Sequence, residues 1–412
     1  MSPNALSFVF CRASWIVAEV MAGRSLAQGS LDRVAAAARP ATREMVYGVL
    51  RAHGEGDALL APLLQNRPPA QIHALLLCAV YRLADWPDAH TVVNQAVEAA
   101  TGMEQGRYKG LVNAVLRNFL RRREALYAGL TAENRWKHPD WWVRRLQAAY
   151  PDAWQDIVEV GNQPPPMGLR VNVRKTTVAD YLGELQAAGM TAKAAGECGV
   201  TLAQPVSVER LPGFLEGRVT VQDIGAQRAA FLLCPEPGSR VLDACAAPGG
   251  KTAHLLERYD LDLTALDIHP ARCRQIRHNL DRLHLSARIR QGDACRLGVK
   301  ETGERFDAIL ADVPCSASGV ARRLPDIKWL RRPEDIARFA RQQAKMLKSL
   351  WQALRPGGKL LYATCSLFPE ENGEQIRRFL AQTPDARLTG EEQWRPDAQH
   401  DGFYYALIES EH

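Results

Sequence analysis

The residues best suited to chemistry stand at five places in the C-terminal half of the chain. Asp243-Ala244-Cys245-Ala246-Ala247-Pro248-Gly249-Gly250-Lys251-Thr252 joins a carboxylate to small residues and paired glycines. Such a loop lets a ligand approach the backbone where a helix begins. A Walker A loop would need glycine where Cys245 stands, and no G-x-G-x-x-G fingerprint occurs, so an ordinary ATPase or dehydrogenase is disfavoured. Asp267 stands where a carboxylate takes hydrogen bonds from a ribose diol, and Asp293 where it meets an adenine edge. Asp312-Val313-Pro314-Cys315-Ser316 and Ala363-Thr364-Cys365-Ser366 add two thiols and a carboxylate. Cysteine is more often a small core residue than a nucleophile, which is the reading for Cys234, Cys273 and Cys295. Cys315 and Cys365 differ because each follows an apolar run into what should be a ligand crevice.

The elements that must carry these loops are legible as an alternation. Strands are predicted over 240–245, 263–268, 287–291, 306–311 and 359–364, with helices over 251–259, 270–283 and 335–354. Further strands over 387–389 and 403–408 follow a helix over 374–380. The alternation implies a doubly wound, mostly parallel α/β sheet, in which ligands bind beyond the carboxyl ends of the strands. Residues 1–130 read instead as several short helices, the last over 111–123 with Val112, Val115, Leu116 and Phe119 as its apolar stripe. Between them, 131–230 reads as a linker helix and a small α+β module. There the alternation Leu169, Val171, Val173 leaves Arg170, Asn172 and Arg174 on the other face, either the wet side of a sheet or a backbone-binding surface. The expected domains are therefore 1–130, 131–230 and 231–412.

With 412 residues, 46% hydrophobic and 24% charged, the chain is an ordinary multidomain globular protein, neither fibrous nor disordered. No apolar run approaches the length of a membrane span, and no basic region precedes the apolar N-terminus as in a signal peptide, so a cytoplasmic protein is expected. Nine cysteines at irregular spacing, without a C-x-x-C pair, fit reduced thiols. Ten histidines without H-E-x-x-H spacing leave no expected metal site. The net charge of +6 arises wholly in residues 1–150, which hold 18 basic and 12 acidic side chains. Basic residues crowd two tracts, 107–145, including Arg121, Arg122 and Arg123, and 322–348, including Arg322, Arg323 and Lys328. Either tract is a candidate phosphate-binding face or a solvated helix face, and Arg121–Arg123 equally suit the C-terminus of their helix. Phosphate contact is the favoured reading for Arg322, Arg323 and Lys328, and a solvated face for the later helical residues. Trp329 suits either base stacking or a buried anchor.

The stretches 243–252, 311–330 and 362–372 resemble the cofactor loop, proline-cysteine motif and threonine-cysteine motif of RNA 5-methylcytosine methyltransferases that use S-adenosylmethionine. Residues 73–81 and Lys109-Gly110-Leu111-Val112-Asn113-Ala114-Val115-Leu116-Arg117 resemble the helical RNA-binding domain of the NusB antitermination factor. Together they resemble the bacterial Sun/Fmu/RsmB branch. The resemblance implies an all-α NusB-like N-terminal domain, a small α+β module and a Rossmann-like class I methyltransferase domain with a mostly parallel seven-stranded sheet. It also implies an enzyme acting on cytosine in 16S ribosomal RNA; separately, a monomer is expected.

Carbon-5 of cytosine is too weak a nucleophile to take a methyl group directly, so a thiolate must first add to carbon-6. The resemblance makes Cys365 that nucleophile, Cys315 the residue that assists its release, and Asp312 the group that positions and protonates the base. DNA methyltransferases of the same chemistry use the proline-cysteine thiol, so the two cysteine roles can be exchanged. Cys245, Ala246, Ala247, Pro248, Gly249, Gly250 and Lys251 would contact the methionine part of the cofactor, Asp267 its ribose, Asp293 its adenine and Asp312 the region beside its sulfonium. Lys251 suits orientation of the site or a solvent-facing position. The resemblance adds Arg170 and Asn172 as RNA contacts. Transfer RNA, another ribosomal cytosine, or a non-catalytic RNA-binding assembly factor remain the alternatives.

Overall fold

The structure, a computed structural model, describes residues 5–85, 88–297 and 304–411. The chain forms two compact units, one made of Met1–Gln163 with Ala321–Arg332, the other of Pro164–Val320 with Pro333–His412.

The first unit is helical: α1 (Leu6–Met21), α2 (Arg39–Leu60), α3 (Ala70–Asp85), α4 (Ala89–Thr101), α5 (Lys109–Ala128), α6 (Ala132–Arg135), α7 (Asp140–Ala149) and α8 (Trp154–Gly161). Its core gathers the periodic apolar residues, among them Ile16, Val46, Leu50, Leu75, Leu76 and Val80. Helix α5 buries Val112, Val115, Leu116 and Phe119 and runs a further turn beyond the predicted end because Leu126 continues the stripe. Arg121 and Arg122 face solvent, whereas Arg123 donates to the carbonyl of Ala84 at the end of α3, 2.9 Å away. Arg123 thus completes a neighbouring helix terminus.

Segment Ala321–Arg332 overturns the expected phosphate contacts of Arg322 and Lys328. Both side chains are buried. Lys328 Nζ donates to the carbonyls of Arg51 and Lys137 and to Asn162 Oδ1, at 3.0, 2.9 and 3.0 Å. Its burial, and the charges of Arg51 and Lys137, hold its pKa well below the usual lysine value. Asp326 accepts from Ser25 Oγ and Leu26 N, and Trp329 donates its indole N–H to Leu50 O at 2.8 Å, so Trp329 is an anchor. Arg323 is half-buried on the same segment.

The second unit begins with an antiparallel sheet of order β2-β3-β1-β4, from β1 (Met167–Val171), β2 (Ala192–Ala195), β3 (Gly199–Leu202) and β4 (Val219–Val221), with α9 (Val178–Ala187) against it. A seven-stranded sheet follows, order β10-β11-β9-β8-β5-β6-β7. Its strands are β5 (Arg240–Ala244), β6 (Asp262–Asp267), β7 (Arg288–Gln291), β8 (Phe306–Asp312), β9 (Leu354–Thr364), β10 (Ala386–Trp394) and β11 (Phe403–Ser410). Strands β5 to β9 are parallel, and β11 runs antiparallel between β9 and β10, as the mostly parallel reading requires. Helices α10 (Ile224–Leu233), α11 (Gly250–Arg258) and α12 (Pro270–Leu283) cover one face through Val241, Leu263, Leu310 and Leu361. Helices α13 (Pro333–Gln352) and α14 (Gly373–Leu380) cover the other through Leu242, Ile309, Leu360 and Tyr362. Alternate residues of each strand thus feed opposite cores, as a sheet buried on both faces demands.

Strand β1 corrects the expectation of an open face carrying Arg170 and Asn172. Both are inside the unit. Arg170 forms a two-pronged pair with Glu257, both contacts 2.8 Å, and donates to Gly250 O at 2.7 Å. Asn172 donates to Gly217 O at 3.0 Å. These are struts, and neither side chain is available to RNA. Arg170→Met should destabilise the unit by about 3–5 kcal/mol in urea unfolding, because Glu257 would be left as an unpaired buried charge. The double variant Arg170→Met/Glu257→Leu should recover most of the loss, whereas a surface RNA contact would leave the midpoint unmoved.

Candidate active site

The site is built by parallel pairing of β8 with β9. Asp312 pairs with Ala363, so the two chains leave the sheet side by side. The pairing continues past the strands, with Val313 N donating to Ala363 O at 3.1 Å and Gly319 N to Cys365 O at 2.9 Å. Gly319 and Gly402 lie backbone to backbone, so a Cβ on Gly319 would collide with the main chain of Gly402. In consequence the sulfurs of Cys315 and Cys365 stand 3.4 Å apart. A hydrogen bond to the Cys365 sulfur and burial push the Cys315 thiol well above its usual value. Cys315 is therefore held as a thiol within this sulfur–sulfur contact, in which either sulfur can donate, and Cys365 is half-buried.

Lys251, at the start of α11, places Nζ 2.6 Å from Asp312 Oδ2. Burial alone would lower the lysine's pKa, but Asp312, with Cys365 and Asp243 adding to it, raises it instead. The lysine faces the site rather than solvent, and Asp312 has a fixed cationic neighbour. The carboxyl ends of β5 to β8 thus bring together Asp243, Asp267, Asp293 and Asp312. Asp267 Oδ1 accepts from His269 N at 3.0 Å, leaving its second oxygen for other partners, and Asp293 Oδ1 accepts from Cys295 N at 2.9 Å while its Oδ2 stands 3.9 Å from Arg296 Nε. In the loop between, Cys245 and Gly249 adopt positive φ of 61° and 96°. Ala246 N donates to Leu266 O and Gly249 N to Ala246 O, while Pro248 O accepts from Asn279.

These residues fit a cationic, hydroxyl-bearing nucleoside. Asp243 is wholly buried, and its Oδ2 accepts from Thr252 Oγ1 while its Oδ1 has no hydrogen-bond partner. A buried acceptor left open beside a loop of small residues suits an ammonium or hydroxyl donor from a ligand. The row of carboxylates suits a positively charged ligand whose ribose needs acceptors. Among the described residues no group of three or more His, Cys, Asp or Glu side chains is arranged to hold a metal ion, and no helix is long and apolar enough to cross a membrane.

Sequence reasoning missed what holds the two cysteine loops. Glu371, fully buried, accepts from Ser316 N (2.8 Å), Ser366 Oγ (2.6 Å) and Gln343 Nε2 (3.1 Å). Burial raises its pKa against the pull of those donors. Ser316, Ser318 and Ser366 join hydroxyls at 3.1–3.2 Å, and Asn372 binds Thr364 Oγ1 and Ser366 O. The only signal was the serine after each cysteine; an acidic pair after Pro369 reads as the solvated start of a helix. Of the expected RNA contacts, Arg170 and Asn172 are internal struts of this unit, and Arg121, Arg122, Arg123, Arg322, Arg323 and Lys328 belong to the helical unit.

The residue ranges match three family models: 230–409 the 16S rRNA methyltransferase RsmB/F, 138–209 the RsmF/B-like ferredoxin-like domain, and 18–121 the NusB family. The chain is 44% identical to ribosomal RNA small subunit methyltransferase B of Vibrio cholerae over 387 residues, 90% of this chain and 89% of that protein. Similarity to the protein of the same name from Klebsiella pneumoniae is 44% over 383 residues, 89% of each chain. A solved methyltransferase homolog protein from Pyrococcus horikoshii superposes with a TM-score of 0.60 at 29% identity, covering 68% of this chain and all of its own.

Two outcomes test the site. Glu371→Gln turns an NH2 group toward a set of donors, so it should cost about 1–3 kcal/mol in urea unfolding and loosen both cysteine loops, read as faster alkylation of Cys315. Burial pushes the Asp243 carboxyl up to about 7, whereas an unfolded aspartate titrates near about 4. The folded state thus holds the proton more tightly, and the stability this group contributes falls as pH rises from about 4 to about 7. Asp243→Asn should remove that fall, gaining on the native chain from pH 5 to pH 8 in parallel unfolding curves.

Proposed function

The chain belongs to the RsmB/F family of 16S rRNA methyltransferases, and on that premise we propose that it transfers a methyl group from S-adenosylmethionine to carbon-5 of a cytosine in 16S ribosomal RNA. The observation that carries this reading is the pair of sulfurs 3.4 Å apart beside the Lys251–Asp312 pair at the carboxyl edge of one sheet. Bound at that edge, S-adenosylmethionine supplies an electrophilic methyl group. Cys245–Lys251 and Asp243 would hold its amino-acid portion, Asp267 the ribose and Asp293 the adenine.

The chain's own groups must make the pyrimidine nucleophilic. The target base has to be unstacked, since a paired base hides the atoms attacked. The Cys365 sulfur adds to carbon-6, forming the S–C6 bond and pushing the ring electrons toward carbon-5. Asp312, held by Lys251, grips the base edge and shuttles the proton that neutralises the ring nitrogen. After carbon-5 is methylated, its proton leaves to a base, the S–C6 bond breaks, and the double bond between carbon-5 and carbon-6 returns. Cys315, which retains its proton, directs its S–H at the Cys365 sulfur and stabilises that sulfur as it departs. Cys315 is buried whereas Cys365 is only half-buried, and this easier access favours Cys365 over Cys315 as the attacking group.

Incubating the protein with labelled S-adenosylmethionine and protein-free 16S RNA should place label on carbon-5 of a cytosine; label on no cytosine overturns the reading. Cys315→Ala should accumulate a covalent protein–RNA adduct on denaturing gels while Cys365→Ala forms none, and the opposite pattern would exchange the two roles.

A further inference from the structure

Helix α13 carries a row of basic side chains that the catalytic machinery does not use. Its buried face holds Ile336, Ala340, Gln343, Met346, Leu347 and Leu350. Arg338, Arg341, Lys345 and Lys348 recur at three- and four-residue steps on the opposite face, all exposed, and no acidic residue follows Asp335 in the helix. At 3.6 residues per turn these four side chains line one edge. Arg338 pairs with Asp335 at 2.6 Å, whereas Arg341, Lys345 and Lys348 have no ion pair or hydrogen bond among the described residues. A solvated face ordinarily mixes both signs of charge along its length; beyond the first turn, with Glu334 and Asp335, this one carries positive charge only.

Beside the row lies a cleft of about 450 Å³ between α13 and α14, lined by Lys345, Lys348, Trp351, Arg378, Phe379 and Gln382 among others. That volume is within the range of pockets that hold small ligands. Trp351 is half-buried and preorganised: Phe379 meets it edge-on at 5.5 Å, and Asp385 accepts its indole N–H at 3.1 Å. Arg378 is tethered through Glu370 O and Gln375 and pairs with Glu374 at 3.7 Å, but remains exposed. An aromatic ring, an amide and three cations around one nucleotide-sized space match a base with its phosphate.

We propose that this face is an additional RNA-binding surface, in which Arg338, Arg341, Lys345 and Lys348 follow a phosphodiester backbone and the cleft takes one unstacked nucleotide, its base against Trp351. The inference rests on the reading of RNA as substrate and names a surface for it built from residues outside the thiol pair and the cofactor loop. Gln343, on the buried side of the same helix, donates to Pro314 O at 3.0 Å and to Glu371, so the helix that grips RNA outside also supports the Cys315 loop inside.

The test is fluorescence anisotropy of the full chain with protein-free 16S RNA across a salt series. Lys345→Glu/Lys348→Glu should weaken binding at least tenfold and reduce the slope of log K against log salt by about 2. Trp351→Ala should weaken it by about tenfold with the slope unchanged, and Trp351→Phe should restore most of that loss. Cofactor affinity and far-UV circular dichroism should match those of the native chain in every variant. Wild-type RNA affinity and slope in the charge-reversed variant would overturn the surface, leaving a solvated face or a contact for an acidic protein. An effect of charge reversal without an effect of Trp351→Ala would overturn the nucleotide cleft. If the native chain methylates no cytosine yet charge reversal still weakens RNA binding, the surface stands and the catalytic reading falls.

Discussion

A carboxylate moved from water into a protein interior is tolerated only where donors surround it, and Glu371 is where this chain meets that condition. One oxygen draws in the backbone of Ser316 and the amide of Gln343, and the other takes the hydroxyl of Ser366. Those donors come from both cysteine loops and from the helix covering them. Two loops joined to each other by a few backbone hydrogen bonds are therefore closed around a single buried carboxyl group. The parallel register of β8 with β9 brings the loops near each other, and Glu371 fixes how near. The separation of the sulfurs follows from both.

Around that centre the titratable groups fall into an ordered arrangement. Lys251 and Asp312 neutralise each other in a half-open setting, Cys315 is held as a thiol, and Asp243 is kept from full ionisation by burial. Such an arrangement limits net charge in the crevice while leaving one acceptor on Asp243 open. A cationic ligand entering there would favour the ionised form of Asp243 and so relieve a cost the free protein carries.

The strand ends and the loops they carry were legible because small residues, proline and glycine interrupt apolar runs there and leave Cys315, Cys365, Asp267 and Asp312 conspicuous. The α12 helix was legible to the residue, 270–283, since Pro270 opens it. Arg170, Arg322 and Lys328 were not, for a shared reason. Side-chain type signals charge, but burial depends on partners far away in sequence: Arg170 needs Glu257, 87 positions on, and Lys328 needs Arg51, 277 positions back. Glu371 was hidden for the converse reason, since its neighbours resemble an ordinary acidic helix start. Strand β1 seemed to have a wet face because alternation detects one buried side. Its other side is covered too, with Gln227 of α10 donating to Leu169 O and Arg170 reaching α11.

The chain leaves the catalytic unit after Val320 and re-enters it at Pro333, spending twelve residues as part of the helical unit. Those residues are not a loose loop. Asp326, Lys328 and Trp329 satisfy Ser25, Leu26, Leu50, Arg51, Lys137 and Asn162, and the Trp329 ring packs tilted against His53, centroids 4.6 Å apart. The helical unit is consequently discontinuous, completed by sequence that lies more than 150 positions beyond its main body. A fragment ending at Gln163 would lack the lysine that binds two of its carbonyls and the indole that binds a third, and a fragment starting at Pro164 would carry Asp326, Lys328 and Trp329 without the partners that bury them. Gene fusion or exchange at a single junction cannot transplant either unit whole. Any lineage that inherits one half of this architecture must keep, replace or redesign the twelve residues embedded in the other.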